Sequence, residues 1–367
     1  MFYKLVVSDR DFNVLDEFQD RANNISWDYN RIGGCGGLNF SIPSRYCRNI
    51  LISTGFNVKL YRRNPTTRAF DLWYQGRVEN TLPEIRGEDE TLFVPVMGYQ
   101  SELRDIHIDA TYTSTEISVI VKSLLDNYIV PNTNITYSAG DITATSFTPN
   151  SIIFNGNAQD AMRTLSDITG AREWGVDKDR KFFFKARSST VGFTYPLSGK
   201  ILNFSGDDSS KDIVNRVVFI GGGNPPFTAT YEDMVSQLKW KRRDKVIQNS
   251  AITTTAVASQ FADSIFTEFK DVVRRARIDL LDERQVEATI PIPLLRMVPK
   301  LTRYGEMRYG EFLYSGYIDY QINRVQYTID QSGNLKLSIQ LGQLRPSIAE
   351  DIGQLEYSID QIRQQNL

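Results

Sequence analysis

The chain has 367 residues, of which 41% are hydrophobic, 23% charged and 11% aromatic. That balance supports a buried core and excludes a disordered, collagen-like or low-complexity protein, and at ~150 residues per domain the length allows two or three domains. With 42 Lys+Arg against 44 Asp+Glu and a net charge of -2, the chain lacks the positive excess that a mainly electrostatic nucleic-acid binder needs.

The first hundred residues predict strands. Phe2 to Val7 is β-branched and aromatic, and the polar turn Ser8 to Asp11 leads to a second apolar stretch, Phe12 to Phe18. Ile25 to Tyr29 alternates with period two and meets the cluster Gly33-Gly34-Cys35-Gly36-Gly37, which lets the backbone turn sharply or approach another segment closely. Leu38 to Ile42 alternates again before Pro43. Asn57 to Tyr61 and Phe70 to Val78 flank Asn64-Pro65-Thr66-Thr67 as a hairpin, and Thr91 to Tyr99 adds a further strand.

The period then changes. Ile117, Ile120, Val121, Leu124, Leu125 and Tyr128 recur at helical spacing, with Thr113 and Glu116 as a capping box. A second helix follows Asn157, with Ala158, Ala161, Met162, Leu165 and Ile168 on one face and Gly170 as its stop. Arg172 to Val176 and Lys181 to Ala186 are strand-like. Strands resume at Lys200 to Ser205 and Ile213 to Ile220, and Leu202-Asn203-Phe204-Ser205 repeats Leu38-Asn39-Phe40-Ser41, a hint of two related β domains. A third helix is expected from Val257 to Arg275, with Phe261, Ile265, Phe266, Phe269, Val272 and Val273 buried. Val286 to Ile292, Gly316 to Thr328 and Leu335 to Leu341 are the closing strands. Last, Ile348, Ile352, Leu355, Ile359 and Ile362 alternate steps of four and three, the seam of a terminal helix about 22 Å long. Ile and Leu at these positions suit a three-stranded coiled coil, and packing on the chain's own domain is the other use of such a seam.

The expected fold class is mainly β with α+β insertions: two β-barrel domains with inserted α+β and helical segments and a C-terminal helix. The expected boundaries are 1–104 for the first barrel, 105–196 for the α+β insertion, 197–225 with 286–345 for the second barrel, 226–285 for the helical insertion and 346–367 for the C-terminal helix.

No motif carries chemistry. His107, the sole histidine, lies between Asp105 and Asp109, and no Gly-x-Ser-x-Gly elbow accompanies it. Gly221-Gly222-Gly223 follows a strand but lacks the Gly-Lys-Ser/Thr of a phosphate loop, and Pro225-Pro226 opposes a helix there. The basic runs Lys239 to Arg243 and Arg274 to Arg277 are diluted by Asp244, Asp271 and Asp279, which suits solvated faces or subunit contacts. Cys35 and Cys47 with one histidine cannot supply the usual zinc set, and sequence leaves their pairing open. No catalytic residue, metal or cofactor is expected. No run of about 18 apolar residues and no signal-peptide pattern occurs, so the expectation is a soluble protein made in the cytoplasm with no membrane-spanning segment.

The element order, together with the opening Tyr3-Lys4-Leu5-Val6-Val7 strand, the Trp73-Tyr74-Gln75-Gly76-Arg77-Val78 strand and the Ile322 to Leu341 hairpin with Ser332-Gly333-Asn334 at its tip, resembles the tail hub proteins of tailed bacteriophages. That family includes baseplate hubs and the related base of type VI secretion spikes. The resemblance implies a non-enzymatic homotrimer in the virion tail tip or baseplate, with six barrels in a pseudo-sixfold ring. It also implies partners: the tail tube or distal tail protein, a central spike or tail fibre, and the tape-measure protein, with DNA passing through the channel without specific binding. The C-terminal seam would then continue the trimer axis. The rival expectation is a receptor- or carbohydrate-binding β protein using Trp27, Trp73 and Tyr99 as stacking platforms.

Overall fold

The computed structural model describes residues 3–19, 21–46, 52–64, 67–86, 89–170, 172–196, 201–223, 225–249, 252–281, 292–298, 318–329 and 334–342, with four two-residue strands between 301 and 313. The expected C-terminal seam and Cys47 lie outside the described residues.

Alternation in the first hundred residues gives eight strands: β1 (Tyr3–Ser8), β2 (Val14–Gln19), β3 (Asn23–Asn30), β4 (Ile32–Pro43), β5 (Asn57–Arg63), β6 (Phe70–Val78), β7 (Leu82–Arg86) and β8 (Asp89–Gly98). The β1–β2 turn closes on Asp9, whose carboxylate accepts the backbone N–H groups of Asp11 and Asn13 at 2.9 and 2.8 Å. β5 and β6 form the expected antiparallel hairpin. The glycine cluster serves close approach. Gly33 and Gly34 have φ of 103° and 79°, and a Cβ on Gly34 would lie 2.1 Å from the Val176 carbonyl oxygen.

The next segment holds β9 (His107–Thr113), α1 (Ile117–Leu124), β10 (Ser151–Asn157), α2 (Ala158–Ile168), β11 (Glu173–Val176) and β12 (Phe182–Lys185). The apolar periods of both helices are buried. The cap of α1 differs from the capping box read in sequence. Glu116 is itself the N-cap, accepting the N–H groups of Ser118 at 2.9 Å and Thr145 at 2.7 Å. Asn157 caps α2 through the Asp160 N–H at 2.8 Å, and Gly170 follows with φ of 86°. β11 lies parallel to β4 across the glycines, with Gly175 opposite Gly33.

The remainder comprises β13 (Val191–Pro196), β14 (Ile201–Ser209), β15 (Arg216–Gly221), β16 (Thr228–Glu232), α3 (Met234–Trp240), β17 (Asp244–Asn249), α4 (Thr255–Phe269), β18 (Val273–Leu281), β19 (Leu294–Val298), the two-residue strands β20 (Leu301–Thr302), β21 (Gly305–Glu306), β22 (Arg308–Tyr309) and β23 (Phe312–Leu313), then β24 (Ile318–Tyr320), β25 (Ile322–Ile329) and β26 (Leu335–Gly342). The third expected helix stops at Phe269 rather than Arg275. Val273 to Leu281 instead fills a strand slot between β14 and β26, where both neighbours supply ladder hydrogen bonds. The repeated tetrapeptide does not mark equivalent sites: Leu38 is fully buried in β4, whereas Leu202 is 55% exposed on β14.

Fourteen strands join one sheet whose main path runs β14-β18-β26-β25-β3-β4-β8-β6-β5-β1-β2. The protein is therefore mainly β, but the described pairings form an open path rather than two closed barrels. The halves meet edge to edge, because β3 pairs with β25 instead of closing within its own half. Two cores result. One is shared by both β halves, with Leu38, Phe40, Leu60 and Tyr74 from the first and Ile278, Ile322, Leu337 and Ile339 from the second. The other is shared by the inserted segments, where α1, α2, β15 and α4 bury Ile120, Leu165, Phe219 and Phe261 together.

Candidate functional site

Two junctions hold the β halves and the inserted lobe in one arrangement. The first is aromatic. Trp27 on β3 stacks on Tyr327 of β25 at 4.9 Å with an interplanar angle of 8°, and Trp73 on β6 meets both rings edge-on at 5.9 and 5.5 Å. The Arg62 guanidinium lies 4.8 Å from the Trp73 ring. Below it, buried Asp28 accepts the Gly37 N–H at 2.8 Å, the Asn30 side-chain amide at 2.7 Å and Arg324 Nε at 3.1 Å. These contacts tie β3, β4 and β25 across the seam.

The second junction is polar. Arg31, in the turn between β3 and β4 and 2% exposed, donates through Nη1 to Gln321 Oε1. Arg187, just after β12, donates to the same oxygen at 3.3 Å and pairs with Glu268 on α4. Glu173 on β11 accepts the Ile292 N–H at 2.9 Å. The Arg31 N–H donates to the Asn323 carbonyl at 2.8 Å, and the Asn323 side-chain amide donates to the Gly342 carbonyl at 2.7 Å. One node thus joins the first β half, the lobe and the last hairpin. Burial, with Arg187 beside it, lowers the Arg31 guanidinium to about 9. Burial pushes the Glu173 carboxyl up to about 7, against the backbone hydrogen bond and the two arginines, and raises half-buried Asp167 on α2 to about 7 as well.

These groups are structural in their contacts. Among the described residues no cluster of three His, Cys, Asp or Glu side chains is arranged to hold a metal, and no helix is long and apolar enough to cross a membrane. His107 is exposed on β9 and shares its face with Asp109, while Asp105 belongs to the preceding turn. Gly221 ends β15, where a Cβ would lie 1.8 Å from the Ile252 carbonyl oxygen, so this glycine serves strand packing. Cys35 is a free, buried thiol whose ionisation burial pushes well up. Of the expected sugar platforms, Trp27 (3% exposed) lies in the core shared by the β halves, Tyr99 (1% exposed) lies in the core of the inserted segments, and half-buried Trp73 packs against the first. Arg275 pairs with Asp212 at 2.6 Å and Arg277 with Asp279 at 3.2 Å.

No protein-family model matches the sequence, and no curated protein resembles it in sequence. The fold is more informative. It is similar to the 43 kDa tail protein of prophage MuSo2 from Shewanella oneidensis, with a TM-score of 0.62, 14% identity and coverage of 94% of this chain and 98% of that one. A tail protein from Neisseria meningitidis MC58 superimposes with a TM-score of 0.64 at 11% identity, covering 94% and 97%. Prophage tail protein gp18 from Listeria monocytogenes EGD-e gives 0.57 at 14% identity, covering 97% and 99%. The chain has the phage tail-protein fold. In this tail-protein fold the aromatic seam and the polar node occupy the joints between the β halves and the lobe. Sequence reading named Trp27 and Trp73 for another purpose and missed Arg31, Glu173, Arg187 and Glu268, whose 237-residue span (268 − 31) leaves no local pattern to find.

Proposed function

We propose that this chain is a structural hub of a phage tail tip or baseplate. Three copies close a pseudo-sixfold ring that mates a hexameric tail tube with a threefold spike or fibre around a central channel. The observation that carries the reading is the tail-protein fold, which covers 94% of this chain and nearly all of the Shewanella and Neisseria proteins. The two β halves fit it, since a ring of three copies would take two sheet units from each, six in all. The hub works by rigid packing and needs no catalytic residue or cofactor. Its partners are its own copies, the tail tube or distal tail protein, a central spike or tail fibre, and the tape-measure protein. DNA passes through the lumen without specific binding. The seam Ile348, Ile352, Leu355, Ile359 and Ile362 continues the threefold axis as a coiled coil.

Native mass measurement and negative-stain imaging of the full chain test the ring. Threefold particles with a central hole are expected, and a stable monomer at concentrations on the order of 10 µM overturns the reading. Replacing Ile352, Leu355 and Ile359 by Ala is expected to release the distal spike or fibre while the β halves stay folded. Unchanged attachment overturns the coiled-coil assignment.

A further inference from the structure

Helix α3 presents its apolar residues to solvent. Met234, Val235 and Leu238 are 62%, 79% and 81% exposed, and their spacing of three and four puts them on one face. A helix packed on a core normally buries such a stripe. Here the orientation is fixed by polar contacts on the opposite side. Ser236 is buried, and its hydroxyl donates to the Lys270 carbonyl. Fully buried Asn215 donates to Ser236 Oγ at 3.2 Å and to the Lys241 carbonyl at 2.7 Å, and accepts the Arg243 N–H at 2.7 Å. The outward apolar face is thus locked in place.

The adjoining strand β17 is an edge of its sheet, with Val246 55% exposed. Around it, Lys241, Arg243 and Lys245 have no acidic partner among the described residues, whereas Lys239 and Arg242 pair with Asp271 and Asp244. The surface is apolar at its centre and basic at its rim.

The same chain carries a complementary surface. β2 ends the fourteen-stranded sheet, and Val14 and Leu15 on it are 62% and 43% exposed. Asp11 and Asp16 beside them have no cationic partner among the described residues, and Glu17 is the only one of the three acids with one, Lys4 at 3.2 Å. The turn is anchored from below, since the Arg180 guanidinium lies 4.4 Å from the Phe12 ring.

We propose that the α3–β17 surface receives the acidic β1–β2 edge of a second copy of this chain, head to tail. The apolar residues of the two surfaces cover each other, and the unpaired cations meet the unpaired carboxylates. A contact between two different patches repeats around a ring, so it fits closure by rotation. The inference rests on the ring reading above and names the surfaces that close it.

The test uses the full chain, with association followed by native mass spectrometry and sedimentation. Lys241→Glu with Arg243→Glu, and separately Asp11→Lys with Asp16→Lys, are each expected to weaken association on the order of tenfold or more, and the four changes combined to restore it. Wild-type association is expected to weaken as salt rises from about 0.1 M to about 1 M, which shortens the screening length from ~10 to ~3 Å. A wild-type chain that stays monomeric overturns both the ring and this contact. A ring unaffected by either charge reversal, or one not restored by the combination, overturns this contact and leaves the ring standing. If a reversed chain fails to fold, Val235→Ser with Leu238→Ser carries the test, and unchanged association of that variant overturns the contact.

Discussion

The aromatic seam and the polar node join neighbouring parts of the same chain by opposite chemistry. At the seam, Trp27, Tyr327 and Trp73 exclude water with large rings at 4.9 to 5.9 Å. Its strength comes from apolar area rather than from paired charges. The node gathers two guanidiniums and two carboxylates in a mostly buried site, and Arg31 Nε and Nη2 and Arg187 Nε have no hydrogen-bond partner among the described residues. Desolvating so many charges costs much of what their attraction returns, so a junction of this kind fixes geometry more than it adds stability. The seam supplies strength and the node supplies orientation.

The comparison breaks most readily at the seam. Trp27→Ala is expected to destabilise the protein by about 3–5 kcal/mol, read from the denaturant midpoint, with a loss that is the same at pH 5 and pH 8. A cost below about 1 kcal/mol removes the seam from the argument. At the node, Arg187→Met alone is expected to cost about 3 kcal/mol by leaving Glu268 unpaired, and adding Glu268→Leu is expected to recover most of it. If the double variant is as unstable as the single one, the node contributes strength after all.

The pH dependence separates the two junctions more finely. The Glu173 carboxyl stands at about 7 in the folded chain against an ordinary value of 4.5. Between those values the folded state holds a proton that the unfolded state has lost, so this group's contribution declines as pH rises through the window. Relative to wild type, Glu173→Gln is expected to gain about 2 kcal/mol on going from pH 5 to pH 8, because the amide keeps an acceptor for the Ile292 N–H and carries no buried charge. Parallel stability curves across that range sink the assignment. The smallest effect belongs to the periphery: Val235→Ser with Leu238→Ser is expected to change monomer stability by less than about 0.5 kcal/mol, since neither side chain is covered within one chain.

Much of the fold was legible because it is written in local period. The helical spacing of Ile117 to Leu125 and of Ala158 to Ile168, and the alternation in the opening strands and in the Ile322–Ile329 and Leu335–Gly342 strands, each depend on neighbours within one turn or one pleat. Where sequence reading failed, a distant partner decided. Val273 to Arg275 continues a helical stripe, yet β14 and β26 offer it ladder hydrogen bonds on both sides. Helix α3 shows no inward apolar stripe to read, because buried Asn215 and Ser236 hold it from its polar side.

The sequence by itself determined that the chain is mainly β and where the periods of α1 and α2 lie. Only the tertiary structure decided that β3 pairs with β25, that the inserted segments share one core, and that Trp27 and Tyr99 face inward. The physical reason is that period reports which face of an element is apolar, whereas the partner that covers that face is chosen by chain segments hundreds of residues away.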